Sequence, residues 1–415
     1  MRLKRYQYNG LPFVSIVDEN DCPLDPYVSC YITSIVTSKS PNSAARYANE
    51  LLFLLKHFFK RKILLIERMK SCVFISHQEY TQFYEQCFFH KSLLESSSVL
   101  LFPDVHAKHF RNIMVANQRG IAKVSSETIQ GRIRRLRLFL EWLFDELHGN
   151  KKVDEISLDQ YRKLISKIKL DEQAFGRNRS QKVANADDSV IPDELFAQML
   201  EMILPSSLSN PFSASRIRNY LIVSLIIQSG IRRGALAKLK ISDCHFHGSY
   251  DRIMIYRSPN DISDPRLERP NQKTKSHLAT IDQSLMKQLK FYIDHIRSQF
   301  FQARTHDFIF VSEKDSRGTI GLPISLKAIN RIFRCLSKKL DFHVHPHLLR
   351  HKWNEIFDLQ GERLGVSPSL LEDVRKYAMG WSQNSSMAQL YNDKRLAKKA
   401  KEISMAHQKG VDQKK

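Results

Sequence analysis

No stretch of the 415 residues is apolar for long enough to cross a bilayer. The longest strongly apolar run, 220–227, falls far short of the ~20 residues a transmembrane helix needs, and it reads as a buried helix. The opening MRLKRYQYNG has charge but no apolar h-region and no small-residue cleavage site, so no secretory signal is expected and the chain is placed in the cytoplasm. Six cysteines (Cys22, Cys30, Cys72, Cys87, Cys244, Cys335) form no CxxC pair, which argues against a disulfide framework or zinc knuckle and suits a reducing compartment. Cys244, His245 and His247 lie too close in sequence to surround a tetrahedral ion by themselves. No metal site, no cofactor and no membrane partner is expected. Internal repeats and low-complexity tracts are absent too.

Acidic residues are in deficit: 43 Asp and Glu face 65 Lys and Arg, a formal charge of +22. Such an excess exceeds what solubility requires and points to a polyanion, with nucleic acid as the first partner to consider. The length suits two domains, each burying its own apolar interior.

Residues 1–35 alternate Tyr, Phe, Val and Ile around Asn9-Gly10, which predicts a β-rich lead-in with a hairpin. Ser40-Pro41 then opens an amphipathic helix, with Ser40 as N-cap, Pro41 at the first helical position, and Tyr47, Leu51, Leu54, Leu55 and Phe58 on one face. A second amphipathic helix is predicted over 126–147. Arg132, Arg134, Arg135 and Arg137 crowd its first half with hardly a local carboxylate, which favours phosphate contact over a merely solvated face. Together with Arg46 they are the candidate DNA-binding residues of this region. Further helices over 78–97 and 158–169 complete an all-helical domain at 36–170. The polar stretch 171–188, DEQAFGRNRSQKVANADD, reads as a linker. A second domain spans 189–392, with helices at 193–204, 214–228 and 234–239, strand-like runs at 252–256 and 277–281, and helices thereafter. The fold class expected is mainly α with a small antiparallel β-sheet in the second domain. The lysine-rich 393–415 reads as a helix and frayed tail, with Leu396, Ala400, Ile403 and Met405 as a candidate docking face.

Four motifs carry chemistry. In HPHLLRHKW, Pro346 fits the first turn of a helix, and His347, Arg350 and His351 follow at spacings that share a face. A helix start with an imidazole and a guanidinium offers a phosphate both a proton-transfer group and a two-pronged hydrogen-bond fork. The bland alternative is a basic surface turn. In SGIRRGALAKLKISD, Gly230 stops one helix and Arg232 emerges at the corner before the next, either aimed at a target or merely satisfying carbonyls. Lys273 and Lys275 stand just before the second strand-like run, where a lysine can reach a DNA groove, although lysine at a turn is common. Last, Gly380-Trp381 precedes Tyr391 by ten residues in a chain dense with other tyrosines.

Taken together, the order and spacing of these motifs resemble the catalytic domain of the tyrosine recombinases, the phage integrase type, over roughly 191–391. In that family an arginine follows a T/S-G-aliphatic corner, a lysine lies on a β-hairpin, H-x-L-R-H opens a later helix, and a G-H/W pair precedes the nucleophilic tyrosine. The resemblance implies Arg232, Lys273, His347, Arg350, Trp381 and Tyr391 as catalytic residues, with Lys275 and His351 beside them as DNA contacts. Upstream, SPNSAARYANELLFLLKHF is similar to the family's helical core-binding domain, which with the catalytic domain forms a C-shaped clamp around DNA. Two departures stand out. Ala235 occupies a position that is often acidic in the family, and Trp381 replaces a histidine. The long polar loop 258–271 leaves the choice between Lys273 and Lys275 open.

What the resemblance implies is metal-independent strand transfer. Tyr391 would attack a phosphodiester of an attachment site in double-stranded DNA, leaving a 3′-phosphotyrosyl link. Arg232, Arg350 and His347 would surround the non-bridging oxygens, and Lys273 would protonate the leaving 5′ oxygen. Two such exchanges on a tetramer pass through a Holliday junction, in a bacterial mobile element or phage. A type IB topoisomerase or telomere resolvase shares this chemistry, and a catalytically degenerate DNA-binding protein is the alternative from another class.

Overall fold

Alternation at the amino end folds as its period dictates. In the computed structural model, which describes residues 1–36, 39–90, 124–150, 152–177, 191–246, 252–258 and 261–385, β1 (Arg2–Tyr8) and β2 (Leu11–Val17) form an antiparallel hairpin. Both turn residues, Asn9 (φ 48) and Gly10 (φ 71), take the positive φ that a tight two-residue turn demands. The lead-in then turns helical. Asp25 accepts from the backbone N–H groups of Tyr27 and Val28, with Pro26 next to it, and starts α1 (Pro26–Tyr31). Five residues with π-type bonding, Ile32–Val36, follow.

The chain divides into two compact units, Met1–Val183 and Ala184–Lys415. The first holds the hairpin, α1, α2 (Pro41–Lys60), α3 (Leu65–Lys70), α4 (His77–Gln86), α5 (Ser126–His148) and α6 (Glu155–Arg177). Ile16, Val28 and Tyr31 of the lead-in share one apolar core with Leu51, Leu54 and Phe58 of α2 and Ile133, Leu136 and Leu140 of α5. Two boundaries differ from the sequence reading. The helix expected over 78–97 stops at Gln86, because Arg132 takes the carbonyls of Cys87 and Phe89, each at 2.8 Å, and holds them out of helical register. Residues 91–97 lie outside those described. The expected linker is helical as far as Arg177, and its Glu172 and Phe175 explain why. Glu172 is bonded by Arg134 (2.6 Å) and Arg137 (2.9 Å), while Phe175 packs edge-on to Phe88.

The second unit contains α7 (Asp193–Ile203), α8 (Arg216–Ser229), α9 (Arg233–Lys238), α10 (Gln283–Phe291), α11 (Leu326–Leu340), α12 (Pro346–Arg363) and α13 (Pro368–Ala378). A three-stranded antiparallel sheet runs β3 (Cys244–His245), β4 (Arg252–Ile255), β5 (His277–Thr280). At its centre is α8, whose Leu221, Ile222, Val223, Leu225 and Ile226 are all fully buried; α10 and α12 pack against it. The β4–β5 connection is polar in sequence yet tied to the core. Arg266 pairs with the buried Asp264 at 2.8 Å and donates to the carbonyls of Ala237 (2.9 Å) and Ile324 (2.7 Å). The described architecture is thus mainly α with small antiparallel sheets, and no described helix is long and apolar enough to cross a membrane.

Candidate active site

The site is built around one glycine. Helix α8 ends at Gly230, whose N–H bonds the Ile226 carbonyl at 2.9 Å and whose φ is +61°. A side chain there would be strained by the left-handed backbone and would strike the Met379 methyl at 2.7 Å and the Trp353 ring at 2.9 Å. The chain then reverses in two residues, so that Arg232 becomes the N-cap residue of α9 in extended conformation. Arg233 points elsewhere, donating to Asn330 of α11.

Helix α12 brings the second arginine. His345 caps it by accepting from the Leu348 N–H at 3.2 Å, and Pro346 occupies its first turn. His347 is exposed in that turn, its ring 4.7 Å from the ring of His351. Whereas His347 is exposed, Arg350, expected from its spacing to share a face with His347 and His351, is 1% exposed and turns inward. There its Nη1 donates to the Gly230 carbonyl, which couples α12 to the corner presenting Arg232. Its guanidinium carbon also lies 5.7 Å from the centre of the Trp381 ring, a cation–π arrangement.

Trp381 is held by the end of α13. Gly380 (φ +63) closes the helix with its N–H on the Tyr377 carbonyl, and the Trp381 N–H bonds the Lys376 carbonyl at 2.8 Å. The indole is buried in a small cluster with Met379 and Trp353. A buried ion pair between Arg375 and Asp358 joins α13 to α12.

The lysine-bearing segment is pinned at both ends. The carbonyl of Asn271 lies 2.7 Å from where a Cβ on Gly234 would stand, so this backbone rests directly on α9. Four residues later, the Lys275 N–H donates to the Gly380 carbonyl at 2.8 Å. Lys273 sits between these anchors with an exposed side chain, as does Lys275. Neither belongs to a strand; β5 begins at His277.

That histidine was missed in the sequence, where only its place two residues beyond Lys275 draws attention to it. His277 bonds the Lys275 carbonyl through Nδ1 at 3.1 Å. Burial, and then the charges of Arg350 and Arg232, hold its pKa below the ordinary histidine value. Both arginines therefore act on one imidazole.

Among the candidate DNA contacts of the first unit, two are corrected. Arg132 is 4% exposed, spent on carbonyls and stacked 4.0 Å over the Phe53 ring. Arg135 is 2% exposed, donating to Tyr31 Oη (3.0 Å) and Glu50 (3.3 Å). Arg137 is largely covered between Glu141 and Glu172. Arg134 and Arg46 keep about half their side-chain surface exposed, at 48% and 59%, while pairing with Glu172 and Glu50. Tyr391, the 393–415 segment and His247 lie outside the described residues. Among those described, no group of His, Cys, Asp or Glu is placed to hold a metal ion.

Residues 197–397 match the model of the phage integrase family. That region, just under half of the chain, is a domain of that family. The chain is 21% identical over 273 residues to a tyrosine recombinase of Pseudothermotoga lettingae, a span of 60% of this chain and 85% of that protein. It is 24% identical over 166 residues to tyrosine recombinase XerD of Halalkalibacterium halodurans, 39% of this chain and 47% of the relative. Among solved structures, XerA recombinase aligns over 79% of this chain and 92% of its own, at 19% identity and a TM-score of 0.35. The assignment to the phage integrase family rests on the sequence matches.

Proposed function

We propose that the protein is a site-specific DNA recombinase that cuts and rejoins duplex DNA through a 3′-phosphotyrosyl link to Tyr391. One observation carries the reading: Arg350 contacts both the corner that presents Arg232 and the Trp381 ring, while the Lys273 segment is bonded to the turn holding Trp381. Such a cluster suits a pentacoordinate phosphorane. Guanidinium groups face the non-bridging oxygens, His347 exchanges a proton, and Lys273 protonates the departing 5′ oxygen. These cations supply the positive charge without a metal. A phenol with an ordinary pKa of about 10 is a better leaving group than a sugar hydroxyl, so the covalent link preserves the phosphodiester's energy for religation. Paired exchanges on four protomers would then proceed through a Holliday junction.

The test begins with a duplex selected by the full-length chain from a random-sequence library and nicked near its centre. The wild type is expected to form a detergent-resistant adduct in the presence of EDTA, and Tyr391→Phe to form none. An adduct in the variant means another nucleophile, and loss of wild-type activity in EDTA favours a metal nuclease. Binding without any adduct favours a degenerate DNA-binding protein.

A further inference from the structure

We propose that His277 is a further positioning residue of this site, the side chain that clamps the lysine-bearing segment 271–275 onto the Gly380–Trp381 turn. This rests on the recombinase reading above and deepens it.

The geometry is specific. A carbonyl only accepts, so the 3.1 Å contact to the Lys275 oxygen requires the proton on Nδ1 of His277 and fixes the tautomer. The Lys275 N–H is meanwhile bound to the Gly380 carbonyl at 2.8 Å. Both backbone polar groups of Lys275 are therefore held, one by the imidazole and one by the turn. A Cβ placed on Gly380 would stand 2.5 Å from Nδ1 of His277 and 2.5 Å from the Lys275 oxygen, so ring, carbonyl and glycine form one close-packed unit. Trp381 follows directly and faces Arg350. Lys273 lies two residues before the clamped position, with Asn271 resting on Gly234 at its other side. The imidazole thus sets where the ammonium group stands relative to the guanidinium that would hold the phosphate. It does so by shape and one N–H.

This division of labour distinguishes two conservative replacements. The amide nitrogen of asparagine falls where Nδ1 does, whereas that of glutamine reaches to the Nε2 position. His277→Asn, His277→Gln and His277→Phe are compared with the wild type on the selected nicked duplex, measuring DNA affinity and the single-turnover rate of adduct formation. His277→Asn is expected to stay within about threefold of the wild-type rate, while the Gln and Phe variants fall about tenfold or more, as misplacement of a catalytic group does. Affinity for the duplex is expected to change less than about twofold in all three. Equal rates in every variant overturn the proposal. So does equal loss in all three with a lowered melting temperature, which means mere structural support. A wild type that forms no adduct refutes the recombinase reading instead. Nitrogen NMR of His277 in the intact protein then still decides the clamp: a protonated Nδ1 supports it, and a proton on Nε2 alone overturns it.

Discussion

Arg350 donates to the carbonyl of Gly230, 120 residues earlier in the chain. The same guanidinium lies 5.7 Å from the Trp381 ring. A residue from α12 thereby joins the end of α8 to the end of α13, and the Gly230 carbonyl is oriented two residues before Arg232. Any phosphate held by both arginines would be held by a frame already assembled in the protein, which is what pre-organisation for a charged transition state requires.

Replacing that planar fork by a point charge separates its roles. Arg350→Lys keeps the charge but cannot serve a carbonyl, a ring and two phosphate oxygens together. It is expected to fold, to bind the selected duplex, and to lose about 10²–10³ in the single-turnover rate of adduct formation. Arg350→Ala additionally strands a buried carbonyl, at about 1–3 kcal/mol, so its melting temperature falls as well. Wild-type cleavage by the lysine variant would remove Arg350 from the proposed machinery.

Gly380 and Gly365 offer a matched pair. Both have positive φ, +63 and +69, but a Cβ on Gly365 meets nothing within 4 Å, while one on Gly380 meets His277 and Lys275 at 2.5 Å. Gly365→Ala is expected to cost only the strain of a left-handed backbone, about 1–2 kcal/mol. Gly380→Ala should unfold at lower denaturant than Gly365→Ala and lose adduct formation, since the lysine segment must move away. Equal midpoints in urea would mean that the contact is soft.

The arginines of α5 make contrasting predictions. Arg135→Ala leaves Glu50 and Tyr31 without the guanidinium between them and is expected to cost about 3 kcal/mol of stability, as removal of one partner from a buried pair does. It should leave the slope of log Kd against log salt unchanged. Arg134, half exposed, is proposed as a phosphate contact, so Arg134→Ala should reduce that slope by about 0.9. A reduced slope for Arg135→Ala would contradict its place in the core.

Local rules were legible in the sequence, and long-range pairing was not. The buried helix α8, its stop at Gly230, Pro41 and Pro346 in first turns, and the Asn9-Gly10 hairpin all follow from residues that decide their own backbone. The arginines of α5 misled because their carboxylates come from afar: Glu172 lies 38 residues beyond Arg134, and Glu50 85 before Arg135. Glu172 itself sat in a stretch whose polarity read as linker. The same limit hid the inward turn of Arg350, the Arg375–Asp358 pair and the anchoring of Arg266, each of which needs a partner that no spacing rule supplies. His277 was missed for another reason. Its partner is only two residues away, but its meaning comes from Gly380, Arg232 and Arg350.

A buried histidine in the first unit sets a pH dependence with a definite sign. His57 packs edge-on against Phe58 and Phe83 and bonds Gln86 through Nδ1; its Nε2 finds no hydrogen-bond partner among the described residues. Burial, helped by the charge of Arg61, lowers its pKa from 6.5 to about 4. Between those values the unfolded chain takes up a proton that the folded chain refuses. The stabilisation is therefore complete above the unfolded pKa and is lost as pH falls toward 4. Each tenfold weakening of proton affinity is worth about 1.4 kcal/mol, so the loss across the whole window is on the order of 3 kcal/mol. Melting temperatures at pH 7 and pH 5 should diverge more for the wild type than for His57→Gln, whose amide does not titrate. If both proteins lose the same stability on acidification, the proton is taken up elsewhere, and His57 is only a packed aromatic ring.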